Sequence, residues 1–235
     1  MNRQSPGIGW CRWTWNPITG CRYGCSYCYV PRVLGRFSHG EDPMDPWFHP
    51  DRLEKPLKVK KPARIFVGSS GDMWGDWVPR WWIEKVLWAC GQAPQHRFIF
   101  LTKNPMRYAQ FAPIIPQNCW CGTSVTGGSI QSHEKEHERI GWLERAPQGR
   151  RFISLEPWLG FSPLVDMLVE AWISGVDWLI VGGLTGPEPQ APPVNELEEL
   201  MNLAERHGVP VYVKDNAYLE GTWPKEFPEG LCVIS

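Results

Sequence analysis

The strongest constraint on this fold is a repeat of pattern rather than of sequence. Short apolar runs of strand length are each closed by polar or glycine residues and followed by a helical stretch. The runs at 9–19, 64–69, 97–102, 119–125, 151–155, 178–181 and 210–213 predict seven strands. Between them, 27–37, 79–90, 105–111, 129–144, 163–172 and 194–207 predict six helices; in the second, Trp82, Ile83, Val86, Leu87 and Cys90 form one stripe. The first run alternates, with Cys11, Trp13 and Trp15 on one face and Arg12, Thr14 and Asn16 on the other. Strands alternating with helices imply right-handed crossovers and a parallel sheet, either a barrel or an open doubly wound sheet. In both architectures functional groups gather at the carboxyl ends of the strands. The polar residues at those ends are Ser69, Asp72, Thr102, Lys103, Ser124, Thr126, Glu156, Lys214 and Asp215.

A chain of 235 residues without internal repeat or low-complexity tract reads as a single domain. Its core spans about 9–216, interrupted by an irregular, proline-rich stretch at 38–62 and followed by an extension at 217–235. A net charge of −1 provides no global attraction to nucleic acid or anionic membrane. The longest apolar runs are too short to span a bilayer, and no leader pattern opens the chain, so a soluble, cytoplasmic protein with no membrane partner is expected. Lys55, Lys58, Lys60, Lys61 and Arg64 form the most basic stretch; it reads as a solvated face, with a phosphate-binding patch as the alternative.

Eight cysteines in a chain of this size point to a metal or redox site rather than a disulfide scaffold. Cys21, Cys25 and Cys28 fall within eight positions directly after the first strand, which puts them at the functional rim. A loop this short can turn three soft thiolate ligands toward one point, for iron–sulfur or zinc, and a trio leaves one ligand position open. The other five cysteines, Cys11, Cys90, Cys119, Cys121 and Cys232, read as buried apolar residues. Trp10, Trp13 and Trp15 are placed to wall the loop.

The spacing Cys21-x-x-x-Cys25-x-x-Cys28, with Tyr27 before the third cysteine, resembles the radical S-adenosylmethionine (SAM) superfamily. Thr14-Trp15-Asn16-Pro17, Leu101-Thr102-Lys103-Asn104-Pro105, Ser154-Leu155-Glu156-Pro157 and Ile180-Val181-Gly182-Gly183 extend the resemblance to a phage-associated radical-SAM-like family of unassigned activity. The resemblance implies a partial, TIM-like (β/α) barrel of six to seven parallel strands. It implies a [4Fe–4S] cluster on Cys21, Cys25 and Cys28, with S-adenosylmethionine on the open iron cleaved to a 5′-deoxyadenosyl radical that abstracts substrate hydrogen. It also implies an electron donor such as flavodoxin or ferredoxin. Tyr27 would lie against adenine; Ser69 and Asp72 occupy the turn that meets the methionine amino group; Ser124 and Thr126 would face ribose hydroxyls; Gly182 and Gly183 would admit the adenine. Glu156, Lys103 and Lys214 are the candidate catalytic residues, and the substrate is open, a nucleotide or nucleic acid among the options.

Two rival readings accompany this one. His133-Glu134-Lys135-Glu136-His137 matches H-E-x-x-H, which on a helix holds zinc in hydrolases, with Ile130, His133, His137 and Ile140 on one face. The other is a nucleic-acid-binding module with a structural metal, using the Lys55–Arg64 patch and some of the 15 tryptophans. A zinc knuckle on the trio with Cys11 or a histidine, and a second cluster at Cys119 and Cys121, complete the metal alternatives.

Overall fold

The computed structural model describes residues 1–3, 8–35, 42–127, 130–160, 170, 172–217 and 220–232, with the backbone alone at 130–133. The strands are β1 (Asn2–Arg3), β2 (Trp13–Trp15), β3 (Ile18–Thr19), β4 (Trp47–Phe48), β5 (Arg64–Val67), β6 (Arg97–Thr102), β7 (Cys119–Val125), β8 (Arg151–Leu155), β9 (Trp178–Val181) and β10 (Val211–Val213). The helices are α1 (Val30–Leu34), α2 (Arg80–Gly91), α3 (Met106–Phe111), α4 (Ile130–Leu143) and α5 (Val194–Arg206).

β2 and β5 through β10 lie side by side in chain order, all parallel, and curl into a half-barrel. β1 adds antiparallel to the β2 edge, and β3 pairs with β4 in a separate antiparallel ribbon. The period-2 alternation of each strand divides the core in two. Outward-facing Ile65, Phe98, Phe100, Cys119, Cys121, Ile153, Leu179 and Val211 pack under the helices. Inward-facing Ile99, Trp120, Phe152, Trp178, Ile180 and Tyr212 fill the barrel with aromatic rings, joined by Trp10 and Leu231. Gly122 is in register with Phe152, and a Cβ there would lie 2.2 Å from the phenyl ring, so the glycine makes room for that side chain.

β5 to β10 sit where the apolar runs put them, and the third to sixth predicted strands match to the residue. The first run departs from expectation. Only Trp13–Trp15 is strand; Trp13 and Trp15 face the outer layer, whereas Cys11 precedes the strand and lies in the inner cluster. α1 is shorter than the predicted 27–37, of which 36–37 lie outside the described residues. Most of the predicted 163–172 helix also lies outside them. The stretch 38–62 carries β4 and two 3-10 turns, Pro50–Arg52 and Pro56–Lys58. The extension is not an appendage. Glu226 N–H donates to Val211 O (3.0 Å) and Val213 N–H to Pro224 O (2.9 Å), which covers the free edge of β10. Phe227 and Leu231 close the bottom of the barrel, where the Arg64 guanidinium stands 3.8 Å over the Phe227 ring.

Candidate functional site

The cysteine loop leaves the β2–β3 corner at the carboxyl rim. Its stem is fixed against the turn after β5: Gly20 N–H donates to Ser70 O (3.0 Å), and Gly20 and Gly71 form a parallel bridge. Both positions exclude a side chain, since a Cβ on Gly71 would lie 2.4 Å from Gly20 O and one on Gly20, at φ 87°, 2.2 Å from Asp45 O. Asn16 holds the same turn, accepting from Ser70 N–H (3.0 Å) and donating to Ser69 Oγ (3.0 Å). Cys28 N–H closes a turn on Cys25 O (3.0 Å).

Cys21, Cys25 and Cys28 line one side of a cavity of about 250 Å³. Across it stand Lys103, Ser124, Glu156 and Lys214 from the ends of β6, β7, β8 and β10, with Trp10, Phe66 and Leu101 from the inner core beneath. Tyr27, Ser69, Asp72 and Gly183 complete the walls. Burial pushes the Cys21 thiol up to about 11, with Asp72 and the other two thiols adding to it, and burial also raises Cys28. Such thiols stay protonated at neutral pH until a metal takes the place of the proton. Burial lowers the Lys103 ammonium, which donates to the Tyr27 hydroxyl and lies 5.1 Å from the Tyr27 ring centroid.

The donor set suits an iron–sulfur cluster: three thiols of one loop, partly exposed, facing one cavity. Among the described residues no group of three His, Cys, Asp or Glu side chains is already gathered as a ligand set for an ion.

The cavity gathers every residue expected at the site except Thr126, Gly182 and the rim residue Asp215, which pairs with Lys225 instead. The Thr126 hydroxyl and N–H both donate to Glu136 Oε1 (2.8 and 2.7 Å) and Gly127 N–H to Oε2 (3.2 Å), so buried Glu136 ties the turn after β7 to α4. Gly182 backs the site: a Cβ there would lie 3.0 Å from both Glu156 and Asn216. Glu156 accepts from Lys214 Nζ and from Asn216 Nδ2 (3.1 Å). Asp72 uses its carboxylate internally. It accepts from Thr102 Oγ1 (2.8 Å to each oxygen), Lys103 N–H (3.0 Å) and Trp74 N–H (3.0 Å), and burial raises its pKa.

Trp10 reaches the cavity, whereas Trp13 and Trp15 do not. Cys232 is exposed rather than buried, and Cys119 and Cys121 face the outer layer, away from the cavity. In the H-E-x-x-H stretch Glu134 is exposed and His137 Nδ1 accepts from Trp172 Nε1 (3.0 Å); the His133 side chain lies outside the described residues. Sequence reasoning missed Tyr23 and Tyr29, which join the loop side of the cavity, the latter donating to Ser69 O. It also missed the positioning roles of Asn16, Asn216 and Glu136. The aromatic residues on either side of Cys25 and Cys28 were the available signal for the first two.

Solved structures place this architecture in a class. Spore photoproduct lyase, a radical SAM enzyme, shares the fold. A cysteine-to-serine variant of it superposes with a TM-score of 0.60 at 13% identity, covering 91% of this chain and 80% of that one. The form complexed with dinucleoside spore photoproduct gives 0.56 at 13% identity over 83% and 75%. A double variant with bound AdoMet and dinucleoside spore photoproduct gives 0.57 at 13% over 85% and 75%. The chain thus shares the half-barrel fold of spore photoproduct lyase. It belongs to the family described as Protein of unknown function (DUF5131), whose model matches residues 5–226. That description carries neither an activity nor a phage association. No curated protein matches the chain. Among the described residues no helix is long and apolar enough to cross a membrane.

Proposed function

We propose that the protein is a radical SAM enzyme. The observation that carries the reading is the three-thiol loop facing Lys103, Ser124, Glu156 and Lys214 across one cavity at the carboxyl ends of parallel strands. Cys21, Cys25 and Cys28 would hold a [4Fe–4S] cluster, which with S-adenosylmethionine supplies a 5′-deoxyadenosyl radical for hydrogen abstraction. The chain's own residues bind and orient. Tyr27, fixed by Lys103, offers a flat face to adenine. The Ser69–Asp72 turn presents backbone toward a methionine amino group, its shape set by Asn16 and by the internal bonds of Asp72. Ser124 can bond ribose hydroxyls, with Thr126 held behind it by Glu136. Gly183 would meet adenine through its backbone, and Gly182 and Gly183 let Glu156, Asn216 and Gln190 pack closely behind it. The Glu156–Lys214 pair presents both charges to the cavity and can orient a polar substrate or move a proton. Trp10, Phe66 and Leu101 keep water from the floor, which protects a radical from quenching.

The reading also calls for an electron-transfer protein of the flavodoxin or ferredoxin type. One of the spore photoproduct lyase structures that share the fold is complexed with dinucleoside spore photoproduct, which supports a nucleotide or nucleic acid as the substrate here.

Anaerobic reconstitution with iron and sulfide, followed by absorbance and electron paramagnetic resonance, tests the reading. The expected result is a cluster lost in Cys25→Ala and, on reduction with S-adenosylmethionine, release of 5′-deoxyadenosine and methionine. Absence of a cluster, or one unaltered by Cys25→Ala, refutes it. Stoichiometric zinc lost in His133→Ala but kept in Cys28→Ala would point to the hydrolase instead.

A further inference from the structure

A second concavity of about 710 Å³ lies beside the first and belongs to none of the chemistry above. The two share a partition. Ser69 faces the cysteine cavity and Ser70 the groove, while Val30 faces the cavity and Val33 and Leu34 of the same helix face the groove. Asn16, which fixes the Ser69–Ser70 turn, also lines the groove.

The far wall of the groove carries two cations. Arg52 and Lys55 line it beside His49, whose charged form burial and Arg52 disfavour, and neither Arg52 nor Lys55 has a carboxylate partner among the described residues. Arg52 donates one N–H to Asn16 O (2.9 Å) and leaves the rest of its fork free for a ligand. Of the acids of the groove, Asp45 pairs with Arg22 (3.1 Å), whereas Asp42 accepts from Met44 N–H (2.8 Å) and keeps its negative charge on the wall opposite Arg52 and Lys55. Lys60 and Lys61, a few residues further along the chain, are exposed and lie outside the lining of the groove. At the rim stands Trp47, 61% exposed, on the β3–β4 ribbon whose Phe48 packs edge-on to Trp81, itself 54% exposed.

We propose that this groove binds single-stranded nucleic acid, its phosphates along Arg52, Lys55, Lys60 and Lys61 and a base stacked on Trp47, and leads the strand over the Ser69–Ser70 partition into the cysteine cavity. Unpaired cations selecting a polyanion, beside an exposed indole that can take any base, are the combination that sequence-tolerant single-strand binding uses. A chain of net charge −1 that keeps Arg52 and Lys55 without a carboxylate partner among the described residues in one concavity has local complementarity that its overall charge conceals. That the bound strand is also the substrate rests on the reading of the cysteine cavity; the binding itself does not.

Fluorescence anisotropy of a labelled 12-mer single-stranded oligonucleotide tests this on the full chain, with and without reconstituted cluster. Binding is expected in both forms, weakening with salt. In the exposed triple variant Lys55→Gln, Lys60→Gln, Lys61→Gln the slope of log K against log salt should fall by about 2, at about 0.7 per phosphate contact. Trp47→Ala should weaken binding about 5- to 150-fold at fixed salt, the range for one lost stacking contact. Urea midpoints equal to the parent's show that the variants fold. The proposal is overturned if affinity is unchanged in both variants, if it does not depend on salt, or if vesicles of anionic lipid displace the strand at equal phosphate. A cluster that forms normally in a protein without strand binding would overturn the groove and leave the radical reading standing. Strand binding by a protein in which reconstitution yields no cluster would do the reverse.

Discussion

Thr102→Val removes one hydroxyl from the joint that shapes the candidate site, and its cost can be worked from the geometry. The Thr102 hydroxyl donates to the buried Asp72 carboxylate at 2.8 Å and accepts from Asn104 N–H at 2.9 Å. Valine keeps the volume and loses both bonds. A hydrogen bond to a charged group contributes about 1.5–3 kcal/mol and a neutral one about 0.5–1.5 kcal/mol, so about 2–4 kcal/mol is expected at pH 7. For a domain of this size that lowers Tm by roughly 4–16 °C. The loss should also depend on pH. Burial raises the Asp72 carboxyl in the folded state, while Thr102, Lys103 N–H and Trp74 N–H hold it down. A raised carboxyl contributes stability that is fully present below the unfolded value of about 3.9 and is lost as pH rises through the folded value. Removing the donor raises the folded value further, so the gap between variant and parent widens toward neutral pH and narrows toward pH 4. Urea denaturation followed by tryptophan fluorescence at pH 4.5 and pH 7 measures this, with Thr102→Ser as the control that keeps the hydroxyl. A difference under about 1 kcal/mol at pH 7, or equal losses in the two variants, would refute the reasoning.

Two further outcomes follow from the packing. Gly122→Ala sets a methyl 2.2 Å from the Phe152 ring inside the barrel and should cost about 1–3 kcal/mol in urea denaturation; adding Phe152→Leu should recover much of it. Glu156→Ala strands Lys214, 7% exposed, without its partner, and should destabilise by about 3–5 kcal/mol; Glu156→Gln with Lys214→Met should recover stability while abolishing product formation.

The parallel sheet was readable because each strand is a short, nearly unbroken apolar run with a helix after it. Phe98–Thr102 and Trp178–Val181 need no tertiary information to be recognised. The position of Lys103, Glu156 and Lys214 followed, since each is the first inward-facing residue beyond a strand end. What stayed hidden depends on contacts between distant segments. Cys11 looked in phase with Trp13, yet it sits before the strand, where the chain has not taken up the two-residue alternation. Glu136 looked like one more surface charge in a helix of charges, and only the fold brings it to the Thr126–Gly127 turn 9 and 10 residues away. Asp72 read as a ligand for a bound molecule, whereas its oxygens are spent on Thr102 and its neighbours. A single-chain pattern does not distinguish a carboxylate that meets a ligand from one that builds the wall around it.

The pairing of segment 224–226 on β10 has a mechanical consequence. β1 occupies the sheet margin at β2 in the same antiparallel sense, so both lateral margins carry a protective strip. A half-barrel sealed in this way need not complete the circle to remain monodisperse, and its flank can stay unobstructed.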